Sequence, residues 1–213
     1  MEFSARPTVL TDSRLHGPGS GAELFVVEGE SAAGAVTRVR DPALQAVLPL
    51  RGKPLNSLRA GPRRVADHPF YAALATALRT PIGGPFERPR VPFDRVVVLM
   101  DPDADGIHCG ALVIAFLARW MRPLVDDGLV RIVRPPWGER VTEDGTRVAL
   151  AWSESELRTP DAGTVARRFR GLAAIDGATL ATTCVASATR REELVDAAGI
   201  AEVMRLLGPS PGR

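Results

Sequence analysis

The sequence is poor in cysteine and has no long apolar run. Cys109 and Cys184 belong to no CxxC motif and to no cluster of Cys and His, so neither a zinc site nor a redox motif is expected. No apolar run approaches the roughly 18 residues that cross a membrane, and the first 20 residues contain no apolar core of a signal peptide. These absences predict a cytoplasmic protein with free thiols and no membrane partner.

Lysine is almost absent as well, because Lys53 is the only one among 27 basic side chains. Arginine favours planar contacts with phosphate and carboxylate groups, yet a coding bias would produce the same composition. The net charge of +2 does not by itself indicate a nucleic-acid partner. Apolar residues make up 45% of the chain, which is enough for a folded core.

The most informative stretch is residues 96–108, where an apolar, β-branched run ends on Asp101, Asp103 and Asp105. The run predicts a buried strand, and Gly106 then permits a tight turn into an apolar helix. Ligands collect at the carboxyl ends of strands in open α/β sheets. Three carboxylates with no Lys or Arg between them repel one another unless a cation lies among them. The stretch therefore predicts a Mg²⁺ site.

Two other interpretations fit part of this stretch. An EF-hand loop also begins D-x-D-x-D-G, but it follows a helix and needs a glutamate at its twelfth position, which is Leu112 here. A solvated acidic turn without a ligand stays open on the evidence of this stretch alone.

Residues 23–32 repeat the same sequence pattern, since an apolar run ends on Glu28 and a glycine follows. If the two predicted strands are parallel neighbours, Glu28 meets the aspartates at one edge of the sheet. Glu28 would otherwise only favour the start of the next helix through the helix dipole.

A third predicted strand, residues 45–50, leads into a loop that contains Arg51, Lys53 and Asn56. Basic groups opposite an acidic metal site suit a phosphodiester backbone. Arg168 and Arg170 belong to the densest basic cluster, which could contact DNA phosphates or an acidic partner.

The remaining pattern predicts helices and strands on either side of these motifs. His108 begins a buried helix, where it either caps the helix or contacts phosphate. The predicted elements are helices over residues 68–79, 110–120 and 192–207, a strand over 129–133, and a hairpin turn at 142–146 followed by a strand over 147–152.

Taken in order, these motifs resemble the Toprim domain of the gyrase-B-like chains of bacterial type IIA topoisomerases, DNA gyrase and topoisomerase IV. The resemblance covers residues 22–208. It rests on Glu-Gly-acid-Ser-Ala from residue 28, Pro-Leu-Arg-Gly-Lys-x-Leu-Asn from residue 49, Asp-x-Asp-x-Asp-Gly-x-His from residue 101, Pro-Pro at 135–136, Arg-Phe-Arg-Gly-Leu at 168–172, and the stretches 180–183 and 188–191.

The resemblance implies an α/β, Rossmann-like fold with a small parallel sheet and helices on both faces, followed by a smaller α+β C-terminal extension. The expected divisions are a flexible leader at residues 1–21, a Toprim domain at residues 22–136 and a gyrase-B-like extension at residues 137–213. The family's ATPase region is not matched and no glycine-rich nucleotide loop occurs, so no ATP site is expected in this chain.

The resemblance also implies a function, that of a Mg²⁺-binding part of an ATP-dependent type II DNA topoisomerase, which is incomplete alone. The implied partners are double-stranded DNA, a tyrosine-bearing gyrase-A-like subunit and a separate ATPase chain. Mn²⁺ would be a substitute metal. The implied catalytic residues are Glu28, Asp101 and Asp103; the metal ligands are these three and Asp105; the DNA-binding residues are Arg51, Lys53, Asn56, His108, Arg168 and Arg170.

Departures from the family pattern keep two other functions open. Cys109-Gly110 replaces the usual Ile-Arg, which removes a DNA-facing arginine, and Ala33 and Ala173 replace glycines. The metal acids remain while DNA-side groups are lost. One alternative is a non-catalytic scaffold or regulatory module that binds topoisomerase subunits or DNA, and the other is a metal-dependent nuclease.

Overall fold

The computed structural model describes residues 9–208, which contain both strands and helices. The strands are β1 (Glu23–Glu28), β2 (Gln45–Leu50), β3 (Arg95–Leu99), β4 (Val130–Val133), β5 (Gly138–Val141), β6 (Arg147–Ala151), β7 (Val165–Arg168) and β8 (Glu192–Leu194). The helices are α1 (Gly29–Val39), α2 (Pro62–Ala66), α3 (Pro69–Leu78), α4 (Ala104–Trp120), α5 (Arg122–Asp126), α6 (Glu154–Arg158), α7 (Gly177–Leu180) and α8 (Ala197–Leu207).

Five strands form the main sheet in the order β2-β1-β3-β4-β8. The first four are parallel to one another, and β8 is antiparallel to β4 at the edge. The pairing of β1 with β3 aligns Val27 with Leu99, so both strands end at the same edge of the sheet. The predicted parallel neighbours are therefore confirmed, and the α/β sheet differs from the expectation only in its antiparallel edge strand.

Helices cover both faces of this sheet, as predicted, because side chains along a strand point alternately to opposite sides. Leu24 and Val26 pack into an apolar layer with α3, α4 and α8. Phe25 and Val27 pack into a second layer with α1 and with residues 169–185 of the extension. No helix among residues 9–208 combines the length and the apolar character that a membrane span requires.

The extension also forms a small antiparallel sheet in the order β6-β5-β7. The hairpin predicted at residues 142–146 joins β5 to β6, with the Thr142 N–H donating to the Thr146 carbonyl at 2.9 Å. This smaller sheet and α6 give the extension its expected α+β character.

The helix predicted over residues 192–207 is wrong at its start. Helix α8 begins at Ala197, where the Asp196 side chain accepts the Gly199 N–H at 2.8 Å and so caps the helix. The three residues of β8 pair instead with β4. Unpaired backbone groups along the edge of β4 need partners, and this tertiary demand outweighs the local helical pattern.

The leader expected to be loose at residues 1–21 is packed over the part that the structure describes. Thr11 exchanges two backbone hydrogen bonds with Val47 at the outer edge of β2. Asp94 accepts the N–H groups of Gly19 and Gly21 at 3.0 and 2.8 Å. Residues 9–21 are thus fixed by backbone hydrogen bonds that composition does not reveal, and residues 1–8 lie outside the described residues.

A buried ion pair connects the extension to the start of β1. The Arg190 side chain is fully buried and donates to both carboxylate oxygens of Glu23, at 2.7 and 2.5 Å. Gln45 and Arg95 also donate to Glu23. Burial raises the pKa of Glu23, but these donors and the Arg190 charge outweigh burial and hold that pKa below the ordinary value of 4.5.

Replacing Arg190 with methionine should destabilise the fold strongly, because it leaves the Glu23 charge buried without its main partner. The expected loss is about 3–5 kcal/mol in the free energy of unfolding at neutral pH, measured by urea denaturation. A lowered carboxyl pKa contributes stability above the unfolded pKa, and that stability is lost as pH falls through the folded pKa. The difference between wild type and Arg190→Met should therefore shrink below about pH 4.5.

Arg205→Met is the matched control, since Arg205 pairs with Glu202 on the exposed face of α8. Its expected effect stays within about 0.5 kcal/mol. Equal losses for the two variants would contradict a special role for the buried pair.

Candidate metal centre

Four acidic residues lie at or near one edge of the main sheet, here called the acidic edge: Glu28, Asp101, Asp103 and Asp105. The parallel pairing of β1 and β3 forms this edge. Glu28 ends β1, and Asp101 follows β3 by two residues. Gly29 has a φ of 77°, which lets the chain turn directly from Glu28 into α1. The two carboxylates, 73 positions apart in the sequence, therefore share one edge of the sheet, as the sequence predicts.

Glu28 has the least satisfied carboxylate of this edge. Its Oε2 atom is buried and forms no hydrogen bond of good geometry among the described residues, although the Asp101 N–H lies near enough to the carboxylate to lower its pKa in part. Burial raises the pKa of Glu28, and repulsion from Asp101, Asp103 and Asp105 raises it further. The thiol of Cys109 lies 3.9 Å from the other oxygen, Oε1. A buried oxygen beside other negative charges is well suited to a cation or a proton.

Asp101 is partly buried and touches the extension. Its Oδ1 accepts the backbone N–H of Leu172 at 2.8 Å. Burial raises the pKa of Asp101, and repulsion from Asp103 adds to it, so that together they outweigh the lowering effect of this hydrogen bond. One oxygen of Asp101 is thus held by the protein, and a carboxylate retains acceptor capacity on the other.

Asp103 and Asp105 have partners of their own. Asp103 caps α4, because its Oδ1 accepts the Gly106 N–H at 2.8 Å. Asp105 is exposed and pairs with Lys53, whose Nζ lies 2.7 Å from Oδ1. The hydrogen bond from Lys53 lowers the pKa of Asp105.

The expected four-carboxylate cluster is consequently not assembled as one group. Among residues 9–208, no three His, Cys, Asp or Glu side chains converge in a metal-holding arrangement. Mg²⁺ commonly takes only one or two carboxylates and keeps several waters, so a site formed by Glu28 and Asp101 would not need the other two acids. The buried Oε2 of Glu28, which no hydrogen bond of good geometry satisfies, fits such a cation.

Two of the residues predicted to face DNA, Arg51 and Asn56, already have partners within the chain. Arg51 pairs with Glu30 at 3.0 Å, and both are exposed. Asn56 is used internally, since its amide donates to the Leu207 carbonyl and its Oδ1 accepts the Leu58 N–H.

The other predicted DNA contacts are open to solvent. His108 is exposed on α4, and Arg170 precedes the turn at Gly171. Arg168 lies over the Trp137 ring, with its guanidinium carbon 5.1 Å from the ring centre. Together with half-exposed Lys53, these side chains could meet an anionic partner.

Sequence reasoning missed the contact between Asp101 and Leu172. The basic motif around Arg168 and Arg170 drew attention to side chains, whereas the contact uses a backbone amide. No local pattern links positions that lie 71 residues apart.

The family model described as "Toprim domain" matches residues 23–135, which is more than half of the chain. Among curated proteins, the DNA gyrase B protein of Archaeoglobus fulgidus is 37% identical over 153 residues, covering 70% of this chain and 24% of that protein. The DNA gyrase B protein of Halalkalibacterium halodurans is 35% identical over 158 residues, covering 74% and 24%. The DNA gyrase B protein of Thermus thermophilus is 35% identical over 162 residues, covering 74% and 25%.

The chain spans about a quarter of the length of the curated relatives it matches. The alignments with these relatives are longer than the stretch that the family model matches. The similarity to gyrase B proteins therefore reaches beyond residues 23–135.

Gly106 should not tolerate alanine, because the backbone of the acidic turn leaves no room for a methyl group. A Cβ there would lie 2.9 Å from Glu28 Oε2 and 2.9 Å from the Asp101 nitrogen, with the Asp101 carbonyl oxygen nearer still. Gly106→Ala should cost about 1–3 kcal/mol in the free energy of unfolding, measured by urea denaturation.

Gly110→Ala is the control in the same helix. A Cβ at Gly110 meets only the side chains of Met100 and Val98, at 3.4 and 3.7 Å. Since alanine is favoured in helices, its expected effect lies between zero and a gain of about 1 kcal/mol. Equal stability of the two variants would contradict close packing at Gly106.

Proposed function

Since the chain belongs to the Toprim domain family, we propose that it is the Mg²⁺-binding part of a type II DNA topoisomerase. In this role it supports cleavage and religation of double-stranded DNA together with a tyrosine-bearing, gyrase-A-like partner subunit and a separate ATPase chain. The observation that most directly supports this function is the acidic edge. There the buried Oε2 of Glu28, which has no hydrogen bond of good geometry, lies beside Asp101, Asp103 and Asp105. The similarity to DNA gyrase B proteins supports the same proposal.

Glu28 and Asp101 are the proposed ligands of Mg²⁺, with Asp103 and Asp105 near enough to influence its affinity through their charge. The bound ion would supply charge stabilisation at the scissile phosphate and the leaving 3′ oxygen. The donor set consists of hard carboxylate oxygens, which also suits Mn²⁺.

Glu28 has a second proposed role as a proton carrier. Burial and the neighbouring carboxylates raise the pKa of Glu28 above its ordinary value of 4.5, which is the direction that favours a proton-carrying carboxylate. In religation, the Glu28 oxygen that does not hold the cation would accept the proton of the attacking 3′ hydroxyl. In cleavage it would donate a proton to the leaving 3′ oxygen.

The basic side chains around the acidic edge are the proposed DNA contacts. Lys53 pairs with Asp105, and His108 lies near enough to the same carboxylate to influence it. Arg168 and Arg170 come just before the turn that touches Asp101. Contacts of this kind position the phosphate backbone without reading sequence. Arg51 would have to leave Glu30 before it could join them.

A non-catalytic scaffold is the second candidate, and one specific observation favours it. Several groups expected to face DNA or metal are already engaged within the chain: Arg51 with Glu30, Asn56 with Leu207, and Lys53 with Asp105. Such a module would bind topoisomerase subunits or DNA without needing a metal. A metal-dependent nuclease has no comparable observation in its favour.

The proposed function is tested by combining the chain with a gyrase-A-type subunit, supercoiled plasmid and Mg²⁺. Wild type should produce cleaved plasmid covalently linked to the partner, and a chelator should abolish it. Glu28→Gln should reduce cleavage roughly 100-fold or more, because it removes both a metal ligand and the proton carrier. Quantified linear and nicked plasmid is the readout.

Glu202→Gln serves as the matched control, since Glu202 is an exposed partner of Arg205 on α8, and it should cleave like wild type. Full cleavage by Glu28→Gln would contradict the catalytic role. Calorimetric binding to the partner that is unchanged by chelation, without cleavage, would favour the scaffold. Release of labelled nucleotides by the chain alone would instead indicate a nuclease.

A further inference from the structure

The carboxylate of Asp101 lies against backbone of the extension. The Leu172 N–H donates to Oδ1 at 2.8 Å. A Cβ built on Gly171 would come within 2.7 Å of Oδ2 and 3.1 Å of the carboxylate carbon. The backbone at positions 171 and 172 therefore approaches Asp101 so closely that only glycine fits at the first position without moving the acid.

This piece of backbone is rigidly supported. The Leu172 side chain is fully buried and Phe169 nearly so, and both pack into the apolar layer that contains Phe25 and Val27. Leu172 begins a short 3₁₀ turn (Leu172–Ala174), in which the Ala174 N–H donates to the Gly171 carbonyl at 3.0 Å. Because this packing and the 3₁₀ turn hold the Leu172 N–H in place, its hydrogen bond also restricts the orientation of the Asp101 carboxylate.

We propose that the backbone amide of Leu172 is a positioning group for metal binding, which holds one oxygen of Asp101 so that the other is presented to the cation. This inference rests on the proposed function, because it assumes that Asp101 is a metal ligand. It makes the C-terminal extension part of the metal centre, although Leu172 lies outside the residues that the Toprim family model matches. Groups that orient metal ligands commonly change metal affinity 10- to 100-fold when they are lost.

The test compares Leu172→Pro with Leu172→Ala by titrating the full chain with Mn²⁺ and measuring free Mn²⁺ by electron paramagnetic resonance. Both variants lose the buried leucine side chain, and only proline lacks the N–H. Proline suits the first position of a helical turn, so the backbone path is kept. We expect Leu172→Ala to bind Mn²⁺ nearly as wild type does and Leu172→Pro to bind roughly 10- to 100-fold more weakly.

A second pair keeps the test decisive if the loss of the leucine prevents folding. The backbone of Gly171 is extended, so alanine there is conformationally allowed and acts by pushing on Asp101. Gly171→Ala should weaken Mn²⁺ binding, whereas Gly61→Ala should not, because a Cβ at Gly61 meets nothing within 4 Å. Thermal unfolding of each pair checks that stability does not explain the difference.

The outcomes separate this inference from the proposed function. If wild type binds Mn²⁺ and Asp101→Asn abolishes binding, but the two Leu172 variants bind equally, the metal centre stands and the positioning role is overturned. Equal binding by Gly171→Ala and Gly61→Ala would overturn it in the same way. If wild type binds no Mn²⁺, both the metal proposal and the positioning role fall.

Discussion

The parallel pairing of β1 with β3 is the contact on which the acidic edge depends. Each strand is a short apolar run, and the sheet between two apolar layers is the arrangement that buries both of its faces. The pairing aligns the strands so that Glu28 and Asp101 leave the sheet side by side. Burial of the strands thus brings together charges that repel one another, and the stability of the core offsets that repulsion. A cation at this edge would remove the conflict.

The extension reinforces this arrangement from both ends of the strands. At the start of β1, Arg190 neutralises buried Glu23, and beyond the end of β3 the Leu172 amide stabilises one oxygen of Asp101 by a hydrogen bond. Between these two contacts, residues 169–185 form the apolar layer against β1 and α1. The division predicted at residue 136 follows a change in composition and stays a prediction about domains. The packing itself continues across it, since both parts share one apolar layer.

Local patterns were sufficient to predict the central strands, their acidic ends and the placement of Glu28 and Asp101 at one edge of the sheet. The strand over residues 45–50 is confirmed in full, because an apolar run at residues 46–50, bounded by turns, leaves few alternatives. What the sequence could not reveal depends on distant partners. Residues 192–194 have a helical pattern but pair with β4, Asn56 was predicted to contact DNA but binds the Leu207 carbonyl, and Leu172 has the pattern of a core residue although its amide touches Asp101. Each of these outcomes is decided by a backbone group that carries no signature in the sequence.

The scarcity of lysine makes covalent labelling of this protein unusually selective. The only lysine side chain of the 213 residues, Lys53, is half exposed and lies beside Asp105 at the acidic edge. Burial raises the thiol pKa of both Cys109 and Cys184 to about 11, which leaves them poor nucleophiles. An acylating reagent that reacts with lysine side chains would therefore modify the acidic edge and no other side-chain amine. Footprinting with such a reagent would report, from a single modified position, when a bound macromolecule covers this edge of the sheet.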